Sequence, residues 1–95
     1  MYQAITTPLF EKKFSKLTKN NPLLRKQIYQ TVETLKLDPY YAGLKTHKVN
    51  FGSGITARSS RVTGDIRLIW NFTKEKLVIL LLNLGPHSGS KKVYK

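Results

Sequence analysis

The chain has 95 residues and carries 17 Lys and Arg against 5 Asp and Glu, a formal charge of +12. That length suits one small domain over residues 1–95. The 40% hydrophobic content, with 6 Gly, approaches the globular average of roughly 45–50% and argues for a packed core. Self-repulsion among so many like charges is a cost that an anionic partner would relieve. With no Cys, disulfides, thiolate metal sites and a thiol nucleophile are excluded. Residues 1–50 hold nine basic and three acidic side chains and residues 51–95 eight and two, so each half carries +6 and the charge belongs to the folded body.

The opening MYQAITTPLF lacks the basic flank and apolar run of a signal peptide, so the protein is expected to stay where it is made. Residues before Thr7 can add an edge strand. Thr7-Pro8 reads as an N-cap with proline at the first helical position, and Phe10, Phe14 and Leu17 recur at helical spacing to about residue 19. Asn21-Pro22 repeats the signal. Leu24, Ile28, Val32 and Leu35 then form an apolar stripe that Asp38-Pro39 ends, giving an antiparallel helical hairpin. Lys12, Lys13, Lys16, Lys19, Arg25 and Lys26 fall on its outer faces.

After Pro39 the period becomes alternating. Thr46 to Phe51 reads as a short strand, Gly52-Ser53-Gly54 as a turn, and Ile55 to Val62 as a second strand. Thr63-Gly64-Asp65 turns the chain into a strand over Ile66 to Phe72, with Ile66, Leu68, Trp70 and Phe72 on one face and Arg67 on the other. Thr73 to Lys76 turn it again. Leu77 to Leu84 is apolar at both phases, as in a central strand covered on both sides. Its apolar run, Leu77 to Leu82, is far too short to span a bilayer. The expected fold is α+β: an N-terminal helical hairpin on one face of a four- to five-stranded, mainly antiparallel sheet. Phe10, Phe14, Leu17, Leu24, Ile28, Leu35, Leu68, Trp70, Ile79 and Leu81 are its expected core.

Side chains able to act on an anion lie mostly in the second half: His47, Arg58, Arg61, Arg67, His87, Tyr94 and flanking lysines. A two-residue loop at Thr63-Gly64 places Arg58 beside Arg67, whereas a three-residue loop with Gly64 left-handed places Arg61 there. Either register gives two guanidiniums on one surface, suited to a phosphate. Imidazole exchanges protons near neutrality without a large pKa shift. RNA carries its own nucleophile in the ribose 2′-hydroxyl. A metal-free ribonuclease therefore needs a proton acceptor, cations on the phosphate and a proton donor, roles that His, Arg or Lys, and His or Tyr can fill. The carboxylates Glu11, Glu33, Asp38, Asp65 and Glu75 are scattered over helices and turns, a poor metal-ligand set.

The two helices, Leu44-Lys45-Thr46-His47-Lys48, the run Arg61-Val-Thr-Gly-Asp-Ile-Arg-Leu-Ile-Trp70, the Ile-Leu-Leu-Leu run and Gly85-Pro86-His87…Val93-Tyr94 together resemble the RelE/ParE superfamily of bacterial toxins, YafQ-like mRNA interferases above all. The resemblance covers nearly the whole chain. It implies a cytoplasmic toxin of a type II toxin-antitoxin pair, with no cofactor and no membrane role. Such a toxin binds a cognate antitoxin, enters the ribosome and cuts mRNA without metal by 2′-hydroxyl attack. His47, Arg61, Arg67, His87 and Tyr94 match the family's catalytic positions. Lys45, Lys48, Arg58, Lys91 and Lys92 are expected to bind RNA. Two departures stand out: a Gly/Ser turn around Gly52 to Thr56 replaces an aromatic residue, and Ser88-Gly89-Ser90-Lys91-Lys92 replaces an acidic pair. The alternatives are a ParE-like toxin that inhibits gyrase by binding, or a catalytically weak relative that binds RNA and antitoxin.

Overall fold

Residues 1–50, 54, 56–75, 77–87 and 93 are described by a computed structural model. Both helices start where local chemistry dictates. Helix α1 (Pro8–Thr18) is capped by Thr7, whose Oγ1 accepts the Phe10 N–H at 3.3 Å, and helix α2 (Pro22–Leu37) by Asn21, whose Oδ1 accepts the Leu24 N–H at 3.1 Å. The Thr7 hydroxyl also donates to the Leu81 carbonyl at 2.8 Å, so the first cap fastens the helix to the sheet. Between the helices Asn20 takes the left-handed conformation (φ 59), which its short polar side chain tolerates. Pro39 and a turn in which Tyr40 N–H donates to Asp38 Oδ1 end the hairpin.

The sheet has five strands: β1 (Gln3–Thr6), β2 (His47–Asn50), β3 (Thr56–Arg61), β4 (Ile66–Phe72) and β5 (Val78–Pro86), in the order β1-β5-β4-β3-β2. Strand β1 lies parallel to β5 at one edge and all other pairings are antiparallel. The expected edge strand and the mainly antiparallel sheet are thus both present. A short 3-10 helix, Ala42–Leu44, joins α2 to β2. Sequence periodicity did not foresee it, because three residues are too few to show a period.

Phe10 from α1 and Leu24, Ile28 and Leu35 from α2 pack on Leu68, Trp70, Ile79, Leu81 and Leu84 of the sheet. Phe14 and Leu17 border this core half-buried, while the other eight expected core residues are buried. Strand β5 serves both faces through an irregularity: Ile69 pairs with Asn83 but Trp70 pairs with Leu81, leaving Leu82 as an extra residue. Leu81 and Leu84, three apart, therefore both meet the helices, while Leu82 packs against a second cluster of Val49, Ala57, Ile69 and Val93 on the other face.

Candidate active site on the open sheet face

Alternation along the strands assigns each side chain to a face. With Leu68 and Trp70 under the helices, Arg67 and Ile69 occupy the opposite face; with Ser60 bonded to Trp70, Ser59 and Arg61 do so on β3. The register places Arg61 directly across from Arg67 and Arg67 across from Gly85. One step along, His47, Ser59, Ile69 and Asn83 form the adjacent row. At a strand spacing of about 4.8 Å, the backbone of His47 lies about 14 Å across the sheet from β5, which His87 follows. The arginine pair lies between the two histidines.

The turn between β3 and β4 decides this register. Val62 N–H donates to the Ile66 carbonyl at 2.9 Å, leaving Thr63, Gly64 and Asp65 as a three-residue loop. This selects Arg61, and not Arg58, as the partner of Arg67. Gly64 is not the left-handed residue, since Gly54 is the one described glycine with positive φ. The Thr63 hydroxyl accepts the Ile66 N–H at 3.0 Å and the Asp65 N–H at 3.3 Å, shaping the loop without a left-handed glycine.

That loop also holds two candidate residues. Half-buried Arg67 folds back along its strand, its Nη1 donating to the carbonyls of Thr63 at 2.8 Å, Gly64 at 3.2 Å and Ile66 at 3.3 Å. The Asp65 carbonyl accepts the backbone N–H of exposed His87 at 2.7 Å. On the far margin, exposed His47 has Nδ1 3.0 Å from the Lys45 carbonyl. A carbonyl only accepts, so Nδ1 is the donor in this contact. Lys45 itself is left-handed (φ 51).

Arg58 and Lys48 lie elsewhere. They face each other across β2 and β3, and Arg58 faces Trp70, on the helix-bearing side of the sheet. Arg58 Nε donates to the Tyr40 hydroxyl at 3.0 Å and Nη1 to Asn71 Oδ1. Tyr94, Lys91 and Lys92 fall outside the described residues, as does most of the Gly/Ser turn after β2. Val93 is described: its N–H donates to the Pro86 carbonyl at 2.8 Å, and its Cβ is 3.4 Å from where a Cβ on Gly85 would stand. Val93 thus sits over the sheet beside Gly85, the partner of Arg67. Sequence reading missed the hub role of Thr63, although a Thr two residues before Asp in a tight turn is a visible signal.

Among the described residues no group of three or more His, Asp or Glu side chains is gathered as a metal-ligand set. No described helix is long and apolar enough to cross a membrane.

No protein-family model matches the chain, and no curated protein matches it. Solved structures do. A metal-bound toxin from Helicobacter pylori superposes with a TM-score of 0.74 at 27% identity, over 92% of this chain and 96% of that one. RelE from Pyrococcus horikoshii OT3, in its complex with RelB, gives 0.70 at 21% identity over 94% and 98%. YafQ from E. coli strain BL21(DE3) gives 0.65 at 20% identity over 90% and 93%. The chain has the α+β fold of the RelE/ParE toxins. The resemblance read from its residues is borne out, with RelE and YafQ among its structural relatives.

Proposed function

We propose that this protein is the toxin of a type II toxin-antitoxin pair and acts in the cytoplasm as a ribosome-dependent mRNA endonuclease. The observation that carries the reading is the arginine pair. Arg61 and Arg67 stand directly opposite each other in the β3–β4 register, and like charges so placed repel. A phosphodiester relieves that repulsion and accepts bidentate hydrogen bonds from either guanidinium.

His47 is the base that takes the 2′-hydroxyl proton. The 2′-oxygen then bonds to phosphorus, the P–O5′ bond breaks, and His87 protonates the departing 5′-oxygen. The products are a 2′,3′-cyclic phosphate and a free 5′-hydroxyl. A base and an acid on opposite sides of the phosphate suit such a displacement, and the arginines stabilise the charge developing between them. Lys45, Lys48 and Arg58, with Lys91 and Lys92, add affinity for the backbone, and Tyr94 supports the acid side.

An antitoxin with an acidic segment is the proposed protein partner. The relatives from Pyrococcus horikoshii and E. coli were solved as RelE-RelB and DinJ-YafQ complexes, and a +12 chain attracts an acidic one at long range.

Expression in cells with transcript ends mapped at codon resolution tests the reading. Breaks inside translated frames are expected. Arg67→Ala or His87→Ala should slow cleavage by roughly 10²–10³-fold, the cost of one lost oxyanion donor. Growth arrest with intact transcripts and damaged DNA would move the assignment to gyrase inhibition. Full toxicity and unchanged cleavage in both variants would remove this face from the mechanism.

A further inference from the structure

The helix-bearing face is not wholly covered by helices. At its β2–β3 corner an aromatic row continues past them: Phe72 meets Trp70 with centroids 5.0 Å apart, and Trp70 meets Tyr40 at 6.5 Å. Arg58 lies across this row, its guanidinium carbon 4.9 Å from the Phe72 centroid and 6.0 Å from that of Trp70. The plane of that guanidinium is fixed at two points, by Tyr40 and by Asn71. Tyr40 is 57% exposed, so one ring of the row stands in solvent. Lys48 sits directly across from Arg58 and is exposed. The nearby Asp38 carboxylate is turned to the Tyr40 backbone N–H.

We propose that Tyr40, Arg58 and Lys48 form a second nucleic-acid site, in which an unpaired base of single-stranded RNA stacks on Tyr40 and Arg58 while Lys48 meets the adjoining phosphate. The proposal deepens the ribonuclease reading and rests on RNA being the ligand. A stiff cationic plane beside an exposed phenol is a stacking platform that tolerates any base. Two cations face to face across the strands attract an anion as the arginine pair does. The two sites lie on opposite faces of the sheet: one strand of RNA is gripped at the edge of β2 and cut on the other side, with His47 next to the crossing point. Single-stranded RNA is favoured over an acidic peptide because planar groups and not aliphatic anchors carry the patch.

Trp70 is the only tryptophan and touches both stacking groups, so its emission reports on the patch. The probe is a short 2′-O-methyl RNA, which cannot be cut because its 2′-oxygen is blocked. Titrating it into the protein should change Trp70 emission in parallel with anisotropy of an end label. Tyr40→Ala should abolish the emission change and weaken binding by roughly tenfold, while Tyr40→Phe, which keeps the ring, stays within about twofold of the parent. Arg67→Ala, on the other face, should weaken binding while leaving the size of the emission change at saturating RNA intact. Unchanged binding by Tyr40→Ala at an unchanged melting temperature would overturn the proposal. So would an equal response to a duplex of the same sequence or to polyglutamate, either of which would show a patch sensing charge alone. RNA binding at this corner with no cleavage in cells would retain the patch and reject the nuclease; cleavage without the emission change would do the reverse.

Discussion

Under the helices, ten buried residues from both helices, the 3-10 helix and strands β4 and β5 form one cluster, and its polar members are bonded: Trp70 Nε1 donates to Ser60 Oγ at 2.8 Å, which lies 2.7 Å from Thr46 Oγ1. On the opposite face four small or medium residues form the cluster. Around it stand two opposed arginines, and within the same face the buried Ser59 hydroxyl has no partner among the described residues. The core under the helices resolves its polar groups internally, while the open face keeps one buried hydroxyl without a partner among the described residues. Stability resides in the helical core, and the cleavage proposed above resides on the open face.

The strongest test of that division is a pair of truncations. Leu35→Ala, at a site with no solvent exposure in the helical layer, should cost about 2–5 kcal/mol. For a domain of this size that lowers the melting temperature by at least about 8 °C. Val93→Ala, in the small cluster on the other face, should cost only about 1–2 kcal/mol from lost methyl burial. Thermal melts of the two proteins under one condition decide. Equal losses would mean that the open face supports the fold as much as the helices do.

Ser60→Ala comes next. It leaves the indole N–H of Trp70, which has no solvent exposure, without its acceptor, a cost of about 1–3 kcal/mol. Denaturant melts followed by Trp70 emission measure it. A loss under about 0.5 kcal/mol would show that the indole N–H finds another acceptor.

How much of this was legible depends on how local each cause is. Thr7-Pro8 and Asn21-Pro22 place both helix starts because a cap acts within three residues. Trp70, Leu68 and Ile66 reveal their common face because β4 alternates without interruption. The same logic failed on Leu77 to Leu84, where both phases are apolar and nothing marks Leu82 as the extra residue. Arg61 and Arg58 stayed interchangeable because the register hangs on the length of one loop, closed by the bond from Val62 N–H to the Ile66 carbonyl. Arg58 on Tyr40 joins residues eighteen apart, a contact that neither helical nor strand periodicity encodes. The candidate histidines were readable as residue types, while their places, one on edge strand β2 and the other just past the end of β5, follow only from the pairing of four strands.

Thr63 sharpens the contrast from the side of the ligand face, because its loop orients Arg67 and holds the His87 backbone. Thr63→Ala removes the acceptor for two backbone N–H groups at an exposed turn, so the stability cost should be small, about 0.5–1.5 kcal/mol. If the loop positions the reactive groups, cleavage by purified protein on programmed ribosomes should fall in kcat with KM little changed, and Thr63→Ser should restore it. A matching loss in Thr63→Ser, which keeps the acceptor oxygen, would show that the hydroxyl is not what shapes the loop.

The smallest expected effect is the most discriminating. Ser59 and Ser60 are adjacent, both without solvent exposure, and point to opposite faces. Ser60 has two partners; Ser59 Oγ has none among the described residues. An unbonded buried hydroxyl carries a desolvation cost that its deletion relieves. Ser59→Ala should therefore be neutral or stabilising by up to about 1 kcal/mol, a rise of a few degrees in melting temperature, opposite in sign to Ser60→Ala one residue away. If Ser59→Ala instead loses stability, the hydroxyl is satisfied in solution and the open face is as internally resolved as the helical one. If stability rises while cleavage falls, the hydroxyl acts on the site from beneath it: Ser59 is paired with both His47 and Ile69, one row from the arginine pair, and has no solvent exposure of its own.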